Sequence, residues 1–323
     1  MMDTFLPKGI LFVLLLLALG RCTSPEHSLH SPPRVAYLTT ATSARSPHQE
    51  TEAALRTTLA DDSLSISTFV LPSAAAQDSG AVQNGWEPVQ AFSPDVLVAG
   101  DLASLQAVLD QHVALGSKPV VYCGAYAWTP PPNAPPVVAL SSPSALPSMV
   151  DTLRLTDQPL RSVLLLLPAT EKAAQPALDS LCRRTGLRPM FAWVNDFAEW
   201  TAQYTSGNEN FDLLYLASAT DLPGWNDTLA YDVARQYIRR PVLTSAPDMV
   251  PYAVWGITQD NRTRGQWAAA VVQRLLDGAQ PGPLEVPYQP ATQSILNPEL
   301  AGQIDLTFSE ALVAQSRLVT PTE

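Results

Sequence analysis

From residue 35 onward, the chain alternates short apolar runs with segments whose apolar residues recur every three or four positions. The runs predict strands, and the segments between them predict helices. The predicted strands of the first half lie at 35–38, 64–70, 96–99, 120–123 and 137–140, and its predicted helices at 49–59 and 102–115. Strands that are apolar on both faces are typical of a parallel sheet covered by helices. The first half therefore predicts one α/β lobe.

The same alternation begins again after residue 160. It predicts strands at 163–167, 190–194, 213–217, 242–244 and 253–257, and helices at 171–184, 197–204, 227–238, up to Gly278 and at 309–316. Between the two series, residues 129–136 contain five prolines and cannot form a helix. The fold class predicted is α/β, with two lobes on parallel sheets.

The N-terminus has the pattern of an export signal. Lys8 precedes an unbroken apolar run at 10–18, which is shorter than the roughly 20 residues needed to cross a bilayer. Small residues follow at Ala18 and Gly20, as at a signal-peptidase site. We expect residues 1–20 to be a signal peptide.

Cys22 gives the N-terminus a second interpretation. The sequence around it is similar to a bacterial lipoprotein box, in which the cysteine is acylated, although Arg21 departs from the small residue that this box requires. An incidental cysteine and a lipid anchor are both open, and residues 21–33 form a flexible leader in either case.

Composition narrows the partners and the chemistry. The chain has 19 Lys and Arg against 30 Asp and Glu, for a net charge of -11, which argues against a nucleic-acid partner. Its three cysteines have no zinc-site spacing, and no catalytic or phosphate-binding motif occurs. Cys123 could be a nucleophile, but no histidine follows His112 to activate it. We expect the protein to have no enzymatic activity, to bind no metal or cofactor, and to have no disulfide between Cys123 and Cys182.

Polar and aromatic residues follow the predicted strands. Ligands of open parallel sheets bind beyond the carboxyl ends of the strands, so these residues are the candidate ligand-binding set. The set is Thr39, Thr40, Gly100, Asp101, Gly124, Ala125, Tyr126, Trp128, Ser141, Ser142, Ser218, Trp225 and Asp248. Each also has a structural alternative, because Asp101 and Ser142 are good helix N-caps and Trp225 could anchor its helix.

Several segments, in the same order along the chain, resemble one family. They are residues 94–100 (PDVLVAG), 118–124 (KPVVYCG), 211–216 (FDLLYL), 252–256 (YAVWG), 265–269 (GQWAA), 275–278 (LLDG) and 295–297 (ILN). They are similar to the ABC-transporter substrate-binding proteins that include the tryptophan- and tyrosine-binding lipoproteins. The resemblance implies a periplasmic binding protein type I-like fold, with two Rossmann-like lobes joined by three crossings. It also implies a small solute in the cleft and a membrane ABC permease as partner.

By the same resemblance, lobe one takes residues 34–139 plus 251–282, and lobe two takes 140–250 plus 283–323. The sequence departs from the family at two places in the implied cleft. Ala125 and Tyr126 stand where the family often has Asp-Pro, and Gly100 and Asp101 replace a Thr-Pro. The ligand therefore does not transfer from relatives.

The leading hypothesis is an exported solute-binding protein, periplasmic or lipid-anchored, that closes its lobes around the solute. An amino acid, with an aromatic one among the candidates, is the ligand class favoured by the acidic and aromatic residues of the candidate set. The main alternative is a ligand-sensing module that partners a membrane sensor kinase or chemoreceptor. An enzyme on the same scaffold is the third hypothesis.

Overall fold

The computed structural model describes residues 32–40, 47–60, 64–72, 79–126, 128, 130, 133–140, 144–156, 160–282, 286–288 and 291–319. The predicted signal peptide, most of the predicted leader, Cys22, Ser141 and Ser142 lie outside these residues. Within them, no helix is both long and apolar enough to span a membrane.

The first sheet has five parallel strands in the order β2-β1-β3-β4-β5. The strands are β1 (Arg34–Thr39), β2 (Ser65–Val70), β3 (Val96–Ala99), β4 (Val120–Tyr122) and β5 (Val137–Ala139). Every residue of β3 and β4 is buried, as expected for strands with helices on both faces.

Four helices accompany this sheet: α1 (Pro47–Thr58), α2 (Ser79–Phe92), α3 (Leu102–Gln111) and α8 (Asn261–Leu276). Helix α8 comes from the far end of the chain and packs along α1, β3 and β4. Its buried Trp267, Val271 and Leu275 share an apolar cluster with Val35 and Val96. The first lobe is therefore completed by a helix that follows, in sequence, the first five strands of the second sheet.

The second sheet has seven strands in the order β12-β11-β10-β9-β8-β6-β7, and β11 runs antiparallel to β10. The strands are β6 (Ser162–Pro168), β7 (Arg188–Val194), β8 (Leu213–Leu216), β9 (Val242–Thr244), β10 (Trp255–Gln259), β11 (Thr292–Leu296) and β12 (Arg317–Leu318). The helices of this half are α4 (Leu146–Arg154), α5 (Gln175–Arg184), α6 (Phe197–Asn210), α7 (Asp227–Tyr237), α9 (Pro298–Gln303) and α10 (Glu310–Gln315). Two 3₁₀ helices span Ala169–Ala174 and Pro247–Tyr252. The predicted two-lobe α/β class is confirmed.

The chain passes between the two sheets three times. It leaves the first sheet after β5, returns from β10 to α8, and leaves again from α8 to β11. The prediction placed all of 251–282 in lobe one, and the structure divides this range. Strand β10 pairs with β9 and β11 of the second sheet, whereas α8 packs on the first. The crossing thus lies at Asp260, the N-cap of α8.

Some predicted helices have different limits. The helix predicted at 102–115 ends at Gln111, and turns that include Gly116 at φ 73° and Ser117 at φ 53° follow it. The helix predicted at 171–184 begins only at Gln175, after the 3₁₀ helix, because Pro176 suits the first turn of an α-helix. Helices α2 and α4, which contain Pro88 and Pro147, were not predicted.

Candidate functional site

A cavity of about 300 Å³ lies where the carboxyl ends of the two sheets meet. Gly100 and Ala125 follow β3 and β4 on one side, and Ser218 and Ser245 follow β8 and β9 on the other. Its size is at the lower end of the range for small-molecule sites. Residues that follow the carboxyl ends of strands therefore line this cavity from both lobes, as expected for ligand sites of open parallel sheets.

The structure brings part of the candidate set into the cavity wall. The members that line it are Gly100, Asp101, Ala125, Tyr126 and Ser218. Thr39, Thr40 and Asp248 lie one hydrogen bond behind a lining residue. Gly124, Trp128 and Trp225 are not among the lining residues.

Asp101 is almost completely used in holding the protein together. Its Oδ2 accepts hydrogen bonds from the Thr39 hydroxyl (3.0 Å) and the Thr40 N–H (2.8 Å). Its Oδ1 accepts from the Ser104 N–H (2.6 Å), which caps helix α3. The side chain is 5% exposed, so its structural role is large whatever it contributes to the cavity.

Positions 100 and 124 have no room for a side chain, because a tyrosine occupies the space beside each glycine. A Cβ at Gly100 would lie 2.4 Å from the Tyr37 hydroxyl oxygen, and one at Gly124 would lie 2.5 Å from that of Tyr122. The Tyr122 hydroxyl donates to the backbone oxygen of Tyr126 (2.8 Å) and so fixes the loop that contributes Tyr126 to the cavity. Gly124 thus supports the cavity wall from behind.

Trp225 belongs to an aromatic cluster of lobe two. Its ring lies 5.0 Å from Trp200, 5.4 Å from Phe197 and 5.5 Å from Tyr252, between ring centroids. Its indole N–H donates to Asp227 Oδ1 (2.8 Å) in the first turn of α7. These contacts match the alternative that Trp225 anchors its helix.

The charged residues of the cavity wall that the candidate set missed are Glu171, Arg264 and Arg184, the last an exposed residue at the end of α5. Glu171 lies in the 3₁₀ helix directly after β6, and Arg264 in the first turn of α8 after β10. Both follow the carboxyl end of a strand, so the same rule applied to those two strands finds them.

Glu171 has an unusual protonation equilibrium. Burial raises the pKa of its carboxyl to about 8, and the negative charge of Asp101 adds to the increase. The neutral acid is therefore the stable form of Glu171 in this cavity around neutral pH.

This shift makes a prediction about pH and stability. The folded state holds the Glu171 proton more tightly than the unfolded state, whose pKa is near 4.5. Its contribution is fully present below that value and is lost as pH rises through about 8. Since Glu171 is half-buried, we expect Glu171→Gln to raise the free energy of unfolding by about 1–2 kcal/mol at pH 9 and by little at pH 4.

Urea unfolding of both proteins from pH 4 to 9 measures this difference. Asp232→Asn, which changes an exposed carboxyl of α7, is the matched control and should give a small, pH-independent difference. A Glu171→Gln effect of equal size at both ends of the range would contradict the shifted pKa.

On the lobe-two side, Ser218 and Thr220 both donate to Asp248 Oδ2, at 2.7 and 3.0 Å. Oδ1 of the same carboxylate is buried with no hydrogen-bond partner, and burial raises the pKa of Asp248. Because the Ser218 hydroxyl gives its proton to Asp248, its oxygen can only accept a hydrogen bond from anything in the cavity. At Ser218, lobe two thus presents an acceptor to the cavity.

Cys123 lines the cavity but is a poor nucleophile. It is 1% exposed, and burial raises the pKa of its thiol to about 12, so the thiolate is scarce at neutral pH. Cys123 and Cys182 are both free and buried. Over the part of the chain that the structure describes, no group of three or more His, Cys, Asp or Glu is arranged to hold a metal ion.

No family model matches this sequence, and no curated protein matches it. Solved structures do. An ABC domain from Streptococcus pneumonia in complex with L-Trp is 15% identical with a TM-score of 0.67, over 90% of this chain and 100% of that one. An ABC transporter solute-binding protein from Agrobacterium vitis bound to alpha-D-tagatopyranose is 13% identical with a TM-score of 0.57, over 88% and 99%.

A LacI family transcriptional regulator from Silicibacter pomeroyi is also similar, at 16% identity and a TM-score of 0.52, over 80% of this chain and 97% of that one. Proteins of different function thus share the architecture, and at these identities the likeness concerns the fold. The chain has the two-lobe, periplasmic binding protein type I-like fold.

Proposed function

We propose that this protein captures a small solute between its lobes and delivers it to a membrane ABC permease. The observation that carries the proposal is the cavity at the junction of the two sheets, lined by residues that follow strands of both. A solute in this cavity contacts both lobes at once, and so it stabilises the arrangement in which they are closed.

The three crossings between the sheets are the expected hinge. Such connections allow one lobe to rotate against the other while each sheet stays intact. The permease then distinguishes the closed, loaded protein from the open, empty one. The N-terminal export pattern, with or without acylation of Cys22, supports a place on the outer side of the membrane.

An amino acid is the solute class that we propose. The cavity wall contains the guanidinium of Arg264, which suits the carboxylate of an amino acid, and the carboxyl groups of Asp101 and Glu171, whose oxygens can accept hydrogen bonds from its amino group. Tyr126 and Tyr215 add aromatic surface. Among the similar structures, one contains L-Trp and another a sugar, so the fold is compatible with either class.

Native mass spectrometry of protein purified without refolding tests the capture of a solute. We expect a retained small molecule that gentle denaturation releases. Small-angle scattering of the stripped protein before and after adding that molecule tests closure, with a smaller radius of gyration expected in its presence. Identical scattering curves with saturating solute would contradict closure of the lobes.

A further inference from the structure

Arg264 forms no ion pair with any residue that the structure describes. Its Nη2 donates to the neutral Gln259 Oε1 (3.2 Å), and its Nε is buried with no hydrogen-bond partner. Among the described residues no carboxylate lies within 4 Å of this guanidinium, whereas Arg56, Arg183 and Arg235 each have one. A half-buried charge normally has a partner, because removing it from water is costly.

The charge of Arg264 acts throughout the cavity. Burial raises the pKa of several tyrosines around the cavity, and the positive charge of Arg264 opposes that increase. These tyrosines are Tyr37, Tyr122, Tyr126 and Tyr215. They come from strands or loops of both sheets, so the charge of Arg264 acts on groups of both lobes.

The helix that carries Arg264 adds to the same potential. Arg264 is in the first turn of α8, a helix of 16 residues, and Asn261 of that turn also lines the cavity. The N-terminal end of a helix has a partial positive charge that favours anions. The opposite wall presents the Ser218 oxygen, which can only accept, and the carboxyl group of Glu171.

We propose that Arg264 binds a carboxylate of the captured solute, and that Ser218 and Glu171 accept hydrogen bonds from a donor group elsewhere on it. This inference rests on the proposed function and adds the chemistry that selects the solute. An amino acid or a hydroxy acid satisfies both walls. A neutral sugar supplies donors for lobe two and leaves the guanidinium unpaired. The planar guanidinium suits a carboxylate, which it can bind through two parallel hydrogen bonds.

The test pairs a change in the protein with a change in the solute. Thermal shift of the wild-type protein first compares L-amino acids, L-2-hydroxy acids and neutral sugars. Calorimetric titration then compares the best acid with its primary amide, in which the carboxylate is replaced by a neutral group. The proteins are wild type, Arg264→Gln, Arg264→Lys and, as the control, Arg262→Gln, which changes an exposed arginine of the same helical turn.

We expect the wild-type protein to bind the acid at least about 30-fold more tightly than the amide. Arg264→Gln should bring the acid down to the affinity of the amide and leave the amide nearly unchanged. Arg264→Lys should keep part of the preference, and Arg262→Gln all of it. The dependence of the effect on the carboxylate separates recognition from a general loss of structure.

Equal binding of acid and amide by the wild type would overturn the inference. So would an equal loss of both ligands in Arg264→Gln, or a neutral sugar that binds best and is insensitive to this substitution. In those cases the solute-binding function stands. If no solute of any class shifts the unfolding temperature or is retained after purification, the proposed function fails, and this inference fails with it.

Discussion

Gly265→Ala should destabilise the protein by about 3–4 kcal/mol, although alanine is normally the better residue inside a helix by about 1 kcal/mol. A Cβ at Gly265 would lie 2.1 Å from the Thr51 backbone oxygen, 2.7 Å from Ala54 Cβ and 2.9 Å from the Leu55 nitrogen. Two of these are backbone atoms of α1, so no side-chain rotation can relieve the overlap. Helices α1 and α8 would have to separate along their whole contact.

Urea denaturation followed by circular dichroism measures this effect. Gly302→Ala is the matched control, because Gly302 is in helix α9 and no atom lies within 4 Å of its added Cβ. It should leave stability unchanged or raise it by less than about 1 kcal/mol. If Gly265→Ala changed the free energy of unfolding as little as Gly302→Ala does, α8 would not pack on α1 as closely as described here.

This close contact also matters for the cavity, because Gly265 is the neighbour of Arg264. The first turn of α8 presses its glycine against α1 and presents its arginine to the junction of the sheets. A displaced α8 would move the guanidinium. We therefore expect solute binding to weaken in Gly265→Ala even where the protein remains folded, and calorimetric titration at low temperature measures that loss.

The sequence predicts the two-lobe architecture well because its strands are buried on both faces. A run such as 163–167 is apolar at every position, and this pattern survives without knowledge of the tertiary structure. The sequence pattern does not predict which of the two sheets each element joins. The pattern finds β10 and α8 as consecutive elements, but it does not show that the first pairs with β9 and the second packs on α1.

The residues of the candidate site also divide into those that the sequence predicts and those that it does not. The residues that follow predicted strands include Asp101, Tyr126 and Ser218, and these three line the cavity. The sequence candidates do not include Glu171 and Arg264, although both follow strands, because in sequence they look like ordinary solvent-facing charges on predicted helices. The burial of Arg264 Nε and the missing partner are properties of the three-dimensional packing alone.

Trp225 is the opposite case, a candidate from the sequence that is not among the residues lining the cavity. As an aromatic residue in a loop after β8, it has the sequence context of a ligand-stacking side chain. Its actual neighbours, Phe197, Trp200 and Tyr252, lie about 25 residues away on either side. The ring of Trp225 packs against three other aromatic rings, so this loop contributes to the stability of lobe two.

Asp101→Asn should lower the free energy of unfolding by about 2–3 kcal/mol, a large effect for so small a change in shape. Asparagine keeps one carbonyl oxygen, which can still cap α3 through the Ser104 N–H. Its amide NH₂ then occupies the place of Oδ2 and faces the Thr40 N–H, a donor opposite a donor. The backbone N–H of Thr40 loses its acceptor beside a site that is almost closed to water.

Asp196→Asn is the control that separates this network from ordinary helix capping. Asp196, which is half-buried, caps α6 by accepting a solvent-exposed hydrogen bond from the Glu199 N–H (2.8 Å), and asparagine caps a helix about as well as aspartate. We expect a change below about 0.5 kcal/mol there. Removing the charge of Asp101 should also lower the pKa of Glu171 in the folded state, so the loss of stability toward high pH should end at a lower pH and be smaller in Asp101→Asn. Equal unfolding midpoints for the two variants would mean that the hydrogen bonds from Thr39 and Thr40 to Asp101 contribute nothing to stability. The cavity wall at Asp101 would then be held in place by other contacts.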